Sequence, residues 1–198
     1  MGPMKKHTEG QTPLDEDEKE GLLPETISTR GELDEFEQEN IQQAIEWTLT
    51  HKFRTERILT EDFIMLVHKK MFNKVWTWAG TKRTSNKNIG VDKYQLSIQL
   101  RQIIEDCKFW INHSIYDPDE IAIRFSHRLV QIHLFPNGNG RHARLMADII
   151  ISHIFHRPVF SWGRSDLTKT SQLRKDFLAA VYAADNGNIK PLLAFSRK

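Results

Sequence analysis

The sequence predicts a mainly α-helical domain, a helical bundle around a central helix-loop-helix with one short β-hairpin flap. Three observations carry this. The 198 residues fit one domain large enough to bury a core. Apolar residues recur at helical spacing along most of the chain. Two strongly apolar helical segments are joined by the turn-forming cluster Pro136-Asn137-Gly138-Asn139-Gly140.

Lys5 to Glu20 is polar, charged and poor in apolar residues, so residues 1–20 are expected to be a flexible segment, with Met1-Gly2-Pro3 read as a cloning remnant. The folded domain is expected over 21–198. From Glu32, Leu33, Phe36, Ile41, Ala44, Ile45 and Thr48 mark an amphipathic helix over about 32–50. Thr60 is a helix-start residue with Glu61 and Asp62 behind it and Phe63, Leu66, Val67 and Met71 on one face. Trp76, Trp78, Ala79 and Gly80 break that pattern. Thr81 to Asp92, punctuated by Ile89-Gly90-Val91, reads as the exposed hairpin. Leu96 to Asn112 restores a helical stripe, and Asp117-Pro118-Asp119 opens the helix that ends at Ile132. The next helix is expected from Arg141 to about Phe155 and, being apolar on nearly every side, is placed at the centre of the bundle. Pro158 stops it. Ser165 to Tyr182 gives one more helix, and Pro191 to Phe195 a last turn.

Composition narrows the function. The 28 basic and 26 acidic residues leave a net charge of +2, too little to argue for nucleic acid or an anionic membrane. The one cysteine, Cys107, forms no internal disulfide and suits a reducing compartment, so the cytoplasm is the expected location. The longest apolar run, Phe177 to Ala184, is far short of a membrane span, and the N-terminal stretch has no apolar core of a secretory signal.

The glycines of the 136–140 loop permit positive φ and close backbone approach, so several N–H groups can be aimed at one anion. The helix that follows adds its free N–H groups and positive dipole end. Arg141 and Arg144 lie three apart in its first turn, where the dipole disfavours cations by roughly 0.3–1 kcal/mol each unless an anion compensates. This placement predicts a bound polyphosphate. His133, just upstream, can deprotonate a hydroxyl near neutral pH. Taken singly, such a histidine is more often packed and such a turn only a turn. Their combination is what is specific.

His133-Leu134-Phe135-Pro136-Asn137-Gly138-Asn139-Gly140-Arg141-His142-Ala143-Arg144 resembles the signature of the Fic/Doc family, His-x-Phe-x-x-Gly-Asn-Gly-Arg-x-x-Arg, at every fixed position. The resemblance extends to Met71-Phe72, Trp76, Trp78-Ala79-Gly80, Arg83-Thr84 and Asn88-Ile89-Gly90, and to Tyr182-Ala183-Ala184-Asp185 with Gly187-Asn188. Thr12-Pro13-Leu14-Asp15 and Thr29-Arg30-Gly31-Glu32-Leu33 resemble more narrowly the bacterial subgroup called mobile mystery protein B.

This resemblance implies the Fic fold and transfer of AMP from ATP to a Ser, Thr or Tyr hydroxyl of a target protein, with automodification as a variant. It implies His133 as general base, the backbone N–H groups of Gly138, Asn139 and Gly140 as an anion hole, and Arg141 and Arg144 as phosphate holders. The flap would run from Thr84 through Asn88, Ile89 and Gly90 to Val91 and align an extended target segment by main-chain pairing. The family places Asp or Glu at the position of Asn137 to ligate Mg²⁺ (or Mn²⁺). Asn keeps a carbonyl oxygen but loses the charge. Leu134 stands where Pro is common. In Glu35-Phe36-Glu37-Gln38-Glu39-Asn40 the Glu-Asn pair resembles the family's inhibitory motif, with Glu35 in place of Ser or Thr. This implies an autoinhibitory pairing of Glu39 with Arg144.

The alternatives are a Fic-fold enzyme of altered chemistry (phosphotransfer or removal of AMP) and a non-catalytic regulatory module of a mobile element. A DNA reader is disfavoured because the helix after Gly140 is mostly apolar beyond Arg144. His127, His133, His142, His153 and His156 match no zinc spacing, and no P-loop motif occurs. A homodimer and a small partner protein stay open.

Overall fold

The computed structural model describes residues 20–24, 26–164 and 172–198. The expected flexible segment therefore lies, apart from Glu20, outside the described residues, as do 165–171 of the helix expected from Ser165. Eight α-helices are described: α1 (Arg30–Thr50), α2 (Thr55–Ile58), α3 (Glu61–Phe72), α4 (Leu96–Asn112), α5 (Pro118–Ile132), α6 (Asn139–Ile149), α7 (Gln172–Asp185) and α8 (Lys190–Ser196). A π turn, Ile150–Ile154, prolongs α6.

Helix starts follow local chemistry. At α1, Thr29 Oγ1 accepts from the Glu32 amide, while Glu32 Oε2 accepts from the Thr29 amide at 2.8 Å, a reciprocal capping box. Thr60 Oγ1 accepts from the Phe63 amide at α3, and Pro118 occupies the first turn of α5. The bundle is centred on α5 packed against α6, with α3, α4 and α8 on their flanks, α1 along α3, and α7 against α8. Phe63, Phe72, Phe125, Phe135, Ile121 and Ile132 are fully buried in one core. Burying each such side chain contributes about 1.5–3 kcal/mol.

Two expectations change. α1 turns Leu33, Glu37, Asn40, Ala44 and Thr48 inward and leaves Phe36 42% exposed. Polar groups are tolerated on that face because each is bonded. Asn40 Nδ2 donates to the Lys70 carbonyl at 3.0 Å, and Asn40 Oδ1 accepts from the Lys74 amide at 2.9 Å, capping the end of α3.

The segment 81–92 is not a β-hairpin. Among the described residues the only bridge recorded joins Leu22 to Trp76. Two backbone bonds tie 81–92 to the end of α5 and the start of the signature loop: the Arg83 amide donates to the Leu134 carbonyl (3.0 Å) and the Val91 amide to the Ile132 carbonyl (3.4 Å). The Arg83 guanidinium takes the Ser85 and Val91 carbonyls, so the two limbs form no backbone ladder with each other.

Candidate active site

His133 is the C-cap of α5 and sits in the left-handed region, φ 55. A non-glycine residue there costs on the order of 1–2 kcal/mol. Two hydrogen bonds hold it: the His133 amide donates to the Leu129 carbonyl, and Arg83 Nε donates to the His133 carbonyl at 2.6 Å. The 81–92 loop passes against the His133 side chain at Gly90. A Cβ on Gly90 would lie 2.5 Å from the His133 Cβ, and His133 is only 4% exposed. Burial, then the nearby Arg83 charge, pushes its pKa down to about 4, against a hydrogen bond to the Val130 backbone; Lys87 adds to the depression. The imidazole is therefore neutral at pH 7 and able to take a proton.

The loop between α5 and α6 is braced from inside. The Asn139 side chain closes it, accepting from the Phe135 amide at 2.9 Å and donating to the Phe135 carbonyl at 2.8 Å. Phe135 stacks on His68 with ring centroids 3.6 Å apart. His68 Nδ1 accepts from the Gly80 amide, so its proton is on Nε2, which donates to the Asn137 carbonyl; both distances are 3.0 Å. Burial, followed by the neighbouring His142, holds the His68 pKa well below the usual imidazole range. Gly138 has φ 76, and a Cβ there would meet Phe72 Cζ at 2.4 Å. This position requires glycine.

Gly140 is different: a Cβ on it would meet nothing within 4 Å. Open space therefore lies over the N-terminus of α6, where the amides of Asn139, Gly140 and Arg141 have no acceptor within the helix and the dipole is positive. Of the three amides expected to form the anion hole, that of Gly138 already donates to Asn137 Oδ1 at 2.5 Å. Arg141 is placed to extend the set in its stead.

The two arginines diverge. Arg144 lies over the Phe177 ring, 5.3 Å from its centroid, in a narrow cleft lined by Val130, Gly140, Trp162 and Phe177. Arg141 turns to the other side, over Phe72, and pairs with Glu37 at 2.5 Å. Glu37 also accepts from Trp76 Nε1 at 2.7 Å. Glu39, expected at Arg144, is exposed and accepts instead from Gln43 Nε2 at 3.2 Å. The reason is helical geometry: two residues span about 200°, so Glu37 and Glu39 face opposite ways. The N-terminal helix does bring a carboxylate to the signature, but it is Glu37 and it meets Arg141.

Asn137 is a poor metal ligand in this arrangement because its Oδ1 already accepts from Gly138. Among the described residues no group of three His, Cys, Asp or Glu side chains could hold a metal ion. These residues do not fit a protein-built Mg²⁺ site. Of the flap positions, Thr84, Asn88, Ile89 and Gly90 are exposed while Val91 is half-buried against the core.

Three buried polar residues, Glu37, His68 and Arg83, were given no role from sequence, nor was the half-buried Asp148. Asp148, one turn beyond Arg144, accepts from the Phe160 amide at 3.1 Å and from Trp162 Nε1 at 3.2 Å, and burial pushes its pKa up to about 7. A usable signal existed for two of them. Glu37 and Asn40 share the spacing of Leu33 and Ala44, and His68 follows Val67 inside an apolar stripe.

Comparison with known proteins bears on the fold that holds this site. The model of the Fic/DOC family matches residues 58–151. The chain is 25% identical over 150 residues to protein adenylyltransferase fic-1 of Caenorhabditis elegans, covering 72% of this chain and 27% of that protein. It is 23% identical to protein adenylyltransferase Fic of Nematostella vectensis, covering 78% and 35%. The chain thus spans about a quarter to a third of these relatives' length. Among solved structures it superposes on BepC of Bartonella tribocorum with bound AMPPNP (TM-score 0.67, 17% identity, 92% of this chain and 97% of that one). It also superposes on residues 134–508 of Fic-1 from C. elegans (TM-score 0.65, 21% identity, 89% and 50%). The helix-loop-helix that carries His133, the open Gly140 and the two arginines therefore lies within the stretch that the Fic/DOC family model matches, residues 58–151, in a chain with the mainly helical Fic fold.

Proposed function

We propose that this chain is a protein adenylyltransferase that moves AMP from ATP to a hydroxyl side chain of a target protein. The observation that carries the reading is the open N-terminus of α6 at Gly140, with Arg144 on one side and neutral His133 at the end of the preceding helix. The polyphosphate lies on the Asn139, Gly140 and Arg141 amides and is clasped by Arg144. The target hydroxyl oxygen attacks the α-phosphorus, its proton passes to His133, and the bond to the pyrophosphate oxygen breaks. The products are an AMP–protein phosphodiester and pyrophosphate. The named relatives support the activity, and AMPPNP bound to BepC supports ATP as the nucleotide. The exposed edge of 84–90 lies beside His133 and suits an extended target segment.

The Glu37–Arg141 pair makes the resting state self-limiting. A phosphate that reaches for Arg141 must displace a buried carboxylate, so the N-terminal helix restrains nucleotide binding. A second reading, transfer of the γ-phosphoryl group, is favoured by Asn137, which lacks the carboxylate that would fix a metal-bridged triphosphate. Intact-mass spectrometry after incubation with Mg-ATP tests the main reading. Wild type is expected to gain an adenylyl group and His133→Ala none. Gain of a phosphoryl group instead would select the second reading.

A further inference from the structure

We infer that Arg83 is a positioning residue that ties the target-docking loop to the catalytic histidine, so that both ends of 84–91 and the His133 carbonyl are anchored on one guanidinium. The role given to His133 rests on the function proposed above; the geometry does not.

Arg83 is 3% exposed although its charge is permanent. Burial on this scale requires that the donors be satisfied. Nε donates to the His133 carbonyl at 2.6 Å, Nη1 to the Ser85 carbonyl at 2.7 Å, and Nη2 to the Val91 carbonyl. Its own amide donates to the Leu134 carbonyl at 3.0 Å. One side chain thus gathers the beginning of the loop, its end, and the left-handed residue that carries the base. The planar fork is what allows three carbonyls in three directions to be met at once, and a lysine ammonium on a flexible stem does not reproduce it.

The consequence is mechanical. Between Ser85 and Val91 the loop has no backbone ladder; Asn86, which donates to Asp92 Oδ2 and accepts from the Lys93 amide, and Lys93, which donates to the Thr84 carbonyl, close its limbs on each other, while Arg83 and the Val91 amide on Ile132 moor it to the active site. Gly90 rests against the His133 side chain, where a Cβ would also come within 3.2 Å of Arg83 Nη2. A target segment laid along 84–90 therefore bears on the same guanidinium that fixes His133.

Two charged groups act on the His133 ring from this loop, Arg83 and Lys87, and both disfavour its protonation. This supplies a readout independent of any transfer reaction. In Arg83→Met, NMR titration should find the His133 pKa raised from about 4, with burial keeping it below an exposed imidazole. Hydrogen exchange of the Val91 amide should accelerate at least about tenfold, the loss of one net hydrogen bond, while amides within α5 stay as in wild type. Arg83→Lys should keep the depressed His133 pKa but lose the Val91 protection, which separates charge from fork. An unchanged His133 pKa and unchanged Val91 exchange in Arg83→Met would overturn the inference. If that variant does not fold, wild type and Arg83→Lys decide: a Val91 amide exchanging equally in both contradicts it. These outcomes are indifferent to whether AMP, phosphate or nothing is transferred, so failure of the proposed function leaves them readable.

Discussion

Replacing Gly140 with alanine should weaken nucleotide binding while leaving the fold intact or firmer. An added Cβ there meets no protein atom within 4 Å, so no neighbour has to move. Within a helix, alanine is favoured over glycine by up to about 1 kcal/mol. For a chain of this size that raises Tm by roughly 2–4 °C at most. The same methyl occupies the space where a phosphate would approach the α6 amides. Loss of one charge-assisted hydrogen bond is worth about 1.5–3 kcal/mol, so the Kd for ATP should rise roughly 10- to 100-fold. Gly138→Ala is the contrasting variant. Its positive φ costs about 1–2 kcal/mol. Collision with Phe72 at 2.4 Å adds overpacking of about 1–3 kcal/mol. A Tm drop of roughly 5–15 °C follows. Calorimetry supplies both quantities, by scanning for Tm and by titration for Kd. A Gly140→Ala protein that binds ATP like wild type, or that loses as much stability as Gly138→Ala, would refute the assignment of the open space to phosphate.

Glu37→Gln leaves an acceptor for Trp76 Nε1 but removes the negative charge that pairs with Arg141, so ATP binding by titration should tighten at least several-fold; weaker binding would mean that Glu37 positions Arg141 rather than competes for it. The acid limb of the transfer rate should lie near pH 4 rather than near 6.5, because His133 is held neutral by burial and Arg83. Stability follows buried groups with opposite signs. His133 and His142 have pKa values depressed to about 4, so their contribution is full above about pH 6.5 and is lost as pH falls toward about 4, and His68, also held well below the usual imidazole range, acts in the same direction. Asp148 has a raised folded pKa of about 7, so ionising it destabilises the fold increasingly from about pH 4 up to about pH 7. Asp148→Asn should therefore exceed wild type in Tm at pH 8, and the gap should shrink to roughly a third at pH 5 and close near pH 4; a constant gap would contradict the desolvation of that charge.

The helices were legible because their start signals and apolar stripes are local. Thr60, Asp117-Pro118 and the Leu96 to Asn112 stripe each act within a few residues. The signature was legible for the same reason, since base, turn and arginines fall in twelve consecutive positions. What escaped is non-local. The alternation Ile89-Gly90-Val91 reads as a strand, yet the partners of its segment lie as far as fifty residues on, where Arg83 meets the His133 carbonyl. In α1 an apolar pattern pointed to Phe36, but the buried face holds Glu37 and Asn40, satisfied by Trp76, Arg141 and the end of α3. A polar residue becomes a core residue only when tertiary partners exist, and a single sequence does not display them.

The central claim is that His133 and the α6 N-terminus act together on the α-phosphate of ATP. Incubating wild type and His133→Ala with ATP labelled separately at the α- and γ-phosphates measures this directly. The account predicts α-label on protein with wild type, none with His133→Ala, and no γ-label with either. Protein-bound γ-label, or α-label that persists without His133, would contradict it.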